Sequence, residues 1–388
     1  MPEQQDGLSG HPPTTVEPRS GTTAKVWDLG VRGFHWLLVA AVSLCLYTGF
    51  LGPANWLGVH VWTGTFIAAL ILFRLVWGIA GSTYSRFASF IPTPGRAIRY
   101  AIALLQRRAA HVTGHNPLGS VMIVALLVTV TALLGTGVLT LGGMLKQGPL
   151  AFALSFASGR TARTIHEWLG FGLLGLVFLH VLGVAIESWR TGENLVAAML
   201  SGRKRVGEER AAAVLPARPW LTTGIVVLVL LVARTAVIAL AARPGYGVPQ
   251  TIVNEDHQRE CGSCHFAFPP SLASAGTWHA IMAGLDEHFG AVATLDPAIA
   301  SRIGAYLADN SAEHWDTLPA HVLRETSARE PLRITGTAYW TRRHHEIPAE
   351  TFKSTAVGGR TQCNACHGDA ASGLFAPQSI NIPRQAQP

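Results

Sequence analysis

Apolar positions run along the chain in five long blocks: Phe34–Leu51, Trp56–Ile79, Leu118–Leu141, Ile165–Trp189 and Trp220–Ala242. Each approaches the roughly 20 residues that carry a helix across a bilayer. The polar stretches between them differ in charge. Residues 82–115 hold Arg86, Arg96, Arg99, Arg107 and Arg108 and no acid, and 190–218 hold Arg203, Lys204, Arg205 and Arg210. By contrast, 52–55 carry no positive residue and 142–162 only Lys146 and Arg160. Positive loops stay on the cytoplasmic side. The pattern therefore predicts a cytoplasmic N-terminus, and five crossings that leave everything after Ala242 outside. The first thirty residues are polar and lack an apolar h-region. They are expected to form a disordered cytoplasmic tail, not a signal peptide.

Composition agrees with a membrane chain. Of 388 residues, 49% are hydrophobic and only 14% charged, where a soluble domain has about 25%. Nine of the 23 acidic residues precede Arg243 and fourteen follow it, so the net charge of +7 belongs to the first part. That placement suits cytoplasmic loops. A nucleic-acid binder would interleave basic with aromatic residues, and no such patch is present.

The chemistry begins with histidines inside the apolar blocks. Ionisable side chains are costly there and usually functional. His166 and His180 lie fourteen residues apart on one block, about 21 Å of helix, which returns the side chain to nearly the same face. His35 opens the first block at its inner end, and His60 comes early in the second at its outer end. The depths match in pairs, His35 with His180 and His60 with His166. A lone intramembrane histidine has ordinary roles in packing or proton relay. Four matched in depth across a bundle are what two six-coordinate b haems require, one imidazole from each of two facing helices. Zinc fits poorly, since each level offers two ligands. Arg74, fourteen residues after His60, reaches the inner level. It has two readings, a propionate ligand or a side chain snorkelling to the surface. Arg32 is equally open.

Four of five cysteines fall in CGSCH (Cys261, Cys264, His265) and CNACH (Cys363, Cys366, His367). Cys-x-x-Cys-His is the attachment pattern of c-type haem. A zinc ribbon wants its cysteine pairs about 15–20 residues apart, and a thioredoxin-like pair wants a βαβ context. Cys45 reads as an inert buried hydrophobe. The distal ligands stay open among His257, His279, His288, His314, His321, His344 and His345. His279 and His288, nine residues apart on a predicted helix, point to opposite faces.

The stretches VWDLGVRGFHW, HVWTGTFIAALILFRLVWG, HNPLGS and RTIHEWLGFGLLGLVFLH resemble the bacterial cytochrome b561 family, which includes the b-type subunit of nickel–iron hydrogenases. The likeness spans about Lys25–Arg190, and the four histidine positions match. After Gly247, ECGSCHFAFPP, WHAIMAGLDEHFG, PLRITGTAYWTRRHHEIP, CNACH and INIPR resemble the periplasmic dihaem cytochrome c family. That resemblance implies bis-histidine haems, with His288 and His344 as distal ligands. His345 competes with His344 in the doubled HH, and His279 with His288.

These readings combine into a mainly α protein. Residues 1–30 are the tail, and 31–218 a b561-type bundle of four helices for two b haems. Residues 219–243 form a fifth, linking helix, and 244–388 a mostly α periplasmic domain for two covalent c haems. The expected function is electron transfer between a quinone pool and a soluble periplasmic redox protein. Reverse flow keeps the same chemistry. A haem-based sensor would want an open axial position and a cytoplasmic output domain, for which Met1–Asp28 leaves no room.

Overall fold

The computed structural model describes residues 23–109, 114–205, 217–249, 254–326 and 332–383. The tail up to residue 22 and Arg210 of the basic loop lie outside these residues.

Among the described residues, five helices are long and apolar enough to cross a membrane. They are α1 (Leu29–Phe50), α2 (Leu57–Ala80), α5 (Pro117–Met144), α6 (Phe156–Thr191) and α8 (Pro219–Ala241). Between α2 and α5 lie the short α3 (Phe87–Phe90) and the amphipathic α4 (Pro94–Leu105); α7 (Leu195–Ser201) follows α6. α1 starts at Leu29 because Asp28 caps it, accepting from the Val31 N–H at 2.8 Å. The same carboxylate accepts from Trp77 Nε1, Ser82 Oγ and Ser85 Oγ, tying the start of α1 to the end of α2. The end of the expected tail differs from the sequence reading: Thr23–Lys25 pairs with Arg203–Arg205 in a two-stranded antiparallel ribbon. A partner strand beyond α7 gives its backbone groups the bonds that a tail takes from water.

α1, α2, α5 and α6 pack around a shared apolar layer of Ala41, Ile67, Ile71, Val130 and Leu173. Leu173 is seven residues from both His166 and His180, so this layer lies midway between the two histidine levels. At one end α5 and α6 approach very closely. A Cβ on Gly143 would sit 2.5 Å from Gly159 Cα, and one on Gly159 2.4 Å from Met144 N. Small residues of this kind let helices meet where lipid offers no hydrophobic drive. α8 packs on α2, and Arg218 N–H donates to Ala80 O at 3.0 Å.

The C-terminal domain is built from short helices: α9 (Glu255–Cys261), α10 (Ala275–Ala283), α11 (Pro297–Asp309), α12 (Leu318–Thr326), α13 (Ala338–His344) and α14 (Ala349–Lys353). Asp296 caps α11, with Pro297 at its first position. Ala273, Trp278, Ile303 and Leu307 form its core. The domain is joined to the bundle at the Gly143/Gly159 end, named the outer end for the domain attached there. There Lys146, its side chain fully buried and its φ at +53°, forms an ion pair with Asp316 at 2.8 Å. Asp316 also accepts from the Phe156 N–H at 2.6 Å and pairs with His321 Nε2 at 2.8 Å. The His321 ring stacks on Phe156. Just past α8, Tyr246 N–H donates to Ala151 O, and Asp316 N–H to Gly247 O, both at 2.8 Å.

Candidate functional site

The fold brings eight histidines together in four pairs. In the bundle, ring centres are 6.2 Å apart for His60 and His166, at the outer level, and 6.5 Å for His35 and His180, at the inner level. In the C-terminal domain both His265–His288 and His344–His367 measure 6.2 Å. Two imidazoles bound on opposite sides of one metal ion, each by a bond of about 2 Å and with about 1.1 Å from nitrogen to ring centre, have centres roughly 6 Å apart. Direct stacking or hydrogen bonding would bring them closer. The spacing therefore fits a bis-imidazole haem in all four places. Among the described residues no group of three or more His, Cys, Asp or Glu gathers as an ion bound by protein alone would need.

The outer pair is seated with near symmetry. His60 Nδ1 lies 2.9 Å from Thr48 Oγ1 on α1, and His166 Nδ1 lies 3.0 Å from Thr136 Oγ1 on α5. Each threonine donates its own proton to a carbonyl one turn earlier, Leu44 O and Ala132 O. It must then accept the N–H of the histidine. That fixes the tautomer and leaves each Nε2 with a lone pair able to ligate a metal. The residue after each threonine is glycine. A Cβ on Gly49 would lie 3.5 Å from His60 Cε1, and one on Gly137 3.4 Å from His166 Cε1. Neither Thr-Gly pair was singled out in the sequence. The inner pair is held differently, with His35 Nδ1 buried and without a hydrogen-bond partner.

Arg74, on α2 fourteen residues after His60, is 4% exposed. Its guanidinium lies 4.6 Å from the centre of the Phe87 ring and donates to Ser85 O at 3.1 Å. It is enclosed by the loop after α2 and does not extend to the surface. Arg32 donates to Leu200 O. Next to this group His115 sits between Trp27 and Phe90. Burial, with Arg74 and Lys204 adding, pushes it down to about 3, so it is neutral.

In the C-terminal domain, Cys261 and Cys264 precede His265, and Cys363 and Cys366 precede His367, each motif beginning at the end of α9 or in a 3₁₀ turn. Burial pushes Cys261 and Cys363 up to about 11. Reactive dithiols need the opposite shift. Of the doubled histidines, His344 faces His367, while the His345 side chain is 68% exposed beside Glu346. His344 is braced by Trp340, whose ring stacks on it at 4.4 Å and whose carbonyl lies 2.9 Å from His344 Nδ1. His265 Nδ1 lies 2.8 Å from Phe266 O. His279 and His314 are exposed, His321 belongs to the Asp316 contact, and His257 packs on Tyr306. Each pair is flanked by a phenylalanine in the left-handed region, Phe289 (φ +55°) against His288 and Phe375 (φ +51°) against His367. Non-glycine residues seldom adopt that conformation.

Comparison with known proteins finds two families along the chain. The family model for prokaryotic cytochrome b561 matches residues 26–202, and that for dihaem cytochrome c matches 257–375. The probable Ni/Fe-hydrogenase 1 B-type cytochrome subunit of Escherichia coli (strain K12) is 23% identical over 209 residues, covering 46% of this chain and 88% of that protein. A dihaem cytochrome c of Shewanella baltica OS155 is 37% identical with a TM-score of 0.27, over 34% of this chain and 94% of that one. For the dihaem cytochrome c purified from Rhodobacter sphaeroides the values are 32% and 0.25, over 32% and 98%. The chain is a membrane electron-transfer protein in which a prokaryotic cytochrome b561 domain, binding b haem, continues into a dihaem cytochrome c domain with two covalent c haems.

Proposed function

We propose that this protein carries electrons from a quinone pool, through two b haems and two c haems, to a soluble redox protein in the periplasm. The observation that carries the reading is the set of four imidazole pairs, all 6.2–6.5 Å apart. On this reading His35 with His180 hold the inner b haem, and His60 with His166 the outer one. His265 and His367 are the proximal ligands of the c haems, and His288 and His344 the distal ones. Cys261, Cys264, Cys363 and Cys366 bind the c haem vinyl groups. The haems supply the one-electron chemistry; the chain supplies ligands, depth and exclusion of water. Arg74, with its fork of donors, is assigned to a propionate of the inner haem. The division into a membrane domain over 31–218, a linking helix over 219–243 and a c domain over 244–388 belongs to the same proposal.

Topology supports the placement of the haems. Basic loops at the inner end favour a cytoplasmic inner haem. The c domain is then in the periplasm of a bacterial inner membrane, where it meets a soluble partner. Toward the C-terminal end of α6, past His180, a groove of about 480 Å³ is lined by Val181, Val184, Ala185, Ser188, Glu193 and Asn194. Its apolar wall with a few polar groups suits a quinone.

Pyridine haemochrome analysis of the purified protein tests the ligand scheme. Equal amounts of b and c haem are expected, and His180→Ala removes half of the b haem. A ratio far from one would sink the assignment. In membranes, quinol reduces b and c haems together in wild type. With His60→Ala the c haems stay oxidised.

A further inference from the structure

We infer that the C-terminal c site, formed by Cys363, Cys366, His367 and His344, is the junction with the membrane. The N-terminal c site, formed by Cys261, Cys264, His265 and His288, is then the terminal one. This order rests on the reading of the four pairs as haem sites, and it holds whichever way electrons run.

The carrier is a short strap near the chain's end. The 3₁₀ turn Pro377–Ser379 packs against the Ala54–Trp56 turn and against α2. The same strap is bonded to the C-terminal haem motif. Gly368 N–H donates to Ser379 O at 2.9 Å, and Asn381 N–H donates to Cys366 O at 2.7 Å. An isolated bridge also pairs His367 with Ile380. One side of five residues therefore touches the membrane domain, and the other holds residues 366–368. His60 lies three residues into α2, about 4.5 Å along the axis from its start.

The N-terminal half of the domain meets the bundle elsewhere, through Asp316 on Lys146 and Phe156. Phe156 opens α6, and His166 comes ten residues later, about 15 Å down the helix. Electron tunnelling decays exponentially with distance. A route shorter by roughly 10 Å of helix therefore dominates. The N-terminal site also has the more open surroundings, with Cys264 exposed, Phe289 45% exposed and Val292 78% exposed. A haem that hands electrons to a visiting protein needs that access. Each transfer moves one electron, oxidising one ferrous iron and reducing one ferric iron, with no proton required.

Two full-length variants in membranes test the order: Cys363→Ala with Cys366→Ala, and Cys261→Ala with Cys264→Ala. The first measurement uses fully oxidised membranes and no quinol. A neighbouring paramagnetic haem speeds the spin relaxation of the outer b haem. Losing the C-terminal c haem should slow that relaxation, and losing the N-terminal one should leave it unchanged. The reverse pattern overturns the order. The second measurement adds quinol. The variant without the N-terminal haem should reduce its remaining c haem as fast as wild type. The variant without the C-terminal haem should leave its remaining c haem oxidised until dithionite is added; reduction at the wild-type rate overturns the proposal. A third variant, Pro377→Gly with Gln378→Gly and Ser379→Gly, keeps all four haem motifs. It should slow transfer from b to c at unchanged haem content, and an unchanged rate counts against the strap. If quinol leaves even the wild-type b haems oxidised, the proposed donor is wrong, and the relaxation measurement decides the order by itself.

Discussion

Thr48 and Thr136 decide how basic the outer imidazoles are. A threonine oxygen that accepts the Nδ1–H makes its histidine a stronger donor to iron, which favours the ferric state. Replacing Thr48 or Thr136 with Val removes the acceptor at nearly constant volume. The midpoint potential of the outer b haem is expected to rise, with the inner one unmoved, and Thr→Ser to restore it; an optical redox titration reads both. A second outcome follows from ring orientation. The His265 and His288 planes are 18° apart, whereas His344 and His367 are 72° apart. Parallel and crossed axial planes split the iron orbitals differently. The two ferric c haems should give distinct low-spin EPR signals, and the Cys261→Ala, Cys264→Ala variant should lose the more rhombic one. The four intramembrane histidines were legible because a polar ring in an apolar block stands out. Their threonines were not, since Thr and Gly are ordinary residues at helix contacts in membranes. Nothing local told His344 from His345 either; the choice follows from where α13 ends and the braced position of Trp340.

At the scale of helices, register sets the outer site. Gly143 is seven residues after Thr136, and Gly159 seven before His166, which is two turns on each helix. The close contact of the two glycines thus fixes the approach that brings Thr136 Oγ1 to His166 Nδ1. Gly159→Ala forces a Cβ against Met144 N and is expected to cost about 1–3 kcal/mol. A lowered Tm in detergent would accompany a disturbed outer b-haem spectrum, with the inner spectrum preserved. The five spans could be read from hydrophobicity, α2 and α8 to within one residue at each end, but the starts of α1 and α6 could not. α6 runs over 36 residues from Phe156, whereas the apolar pattern starts only at Ile165. Arg160 and Arg163 interrupt it, although a helix can continue past the bilayer into a protein contact. α1 likewise begins five residues before its apolar block, because the Asp28 cap and not hydrophobicity sets its start.

In the whole molecule, the join between the two domains hangs on Asp316. Burial alone would raise its pKa, but hydrogen bonds from Lys146, His321 and the Phe156 N–H outweigh it and lower the value below 3.8. A depressed carboxylate contributes its stabilisation above the ordinary value and loses it as pH falls through the lowered one. Docking should therefore persist through neutral and mildly acid pH and fail only below about 3.8. Asp316→Ala leaves Lys146 buried without its counter-charge, a loss of about 3–5 kcal/mol for such pairs. Limited proteolysis should then cut more readily near Gly245–Val248, at unchanged haem content. None of this could be anticipated from the sequence, because Lys146 and Asp316 are 170 residues apart and neither belongs to a motif.

The chain leaves α8 at Ala241 and is fastened at Tyr246 and Gly247, only five and six residues later. A leash that short cannot let the c domain travel. For two separately diffusing proteins, transfer from b to c would vary with their concentrations. Here the donor and acceptor share a fixed local concentration, on the order of millimolar or above for tethers of this kind. Within this chain, dilution leaves the b-to-c step untouched. Concentration and ionic strength then act on the exchange of electrons with separate molecules and not on the step between the two domains.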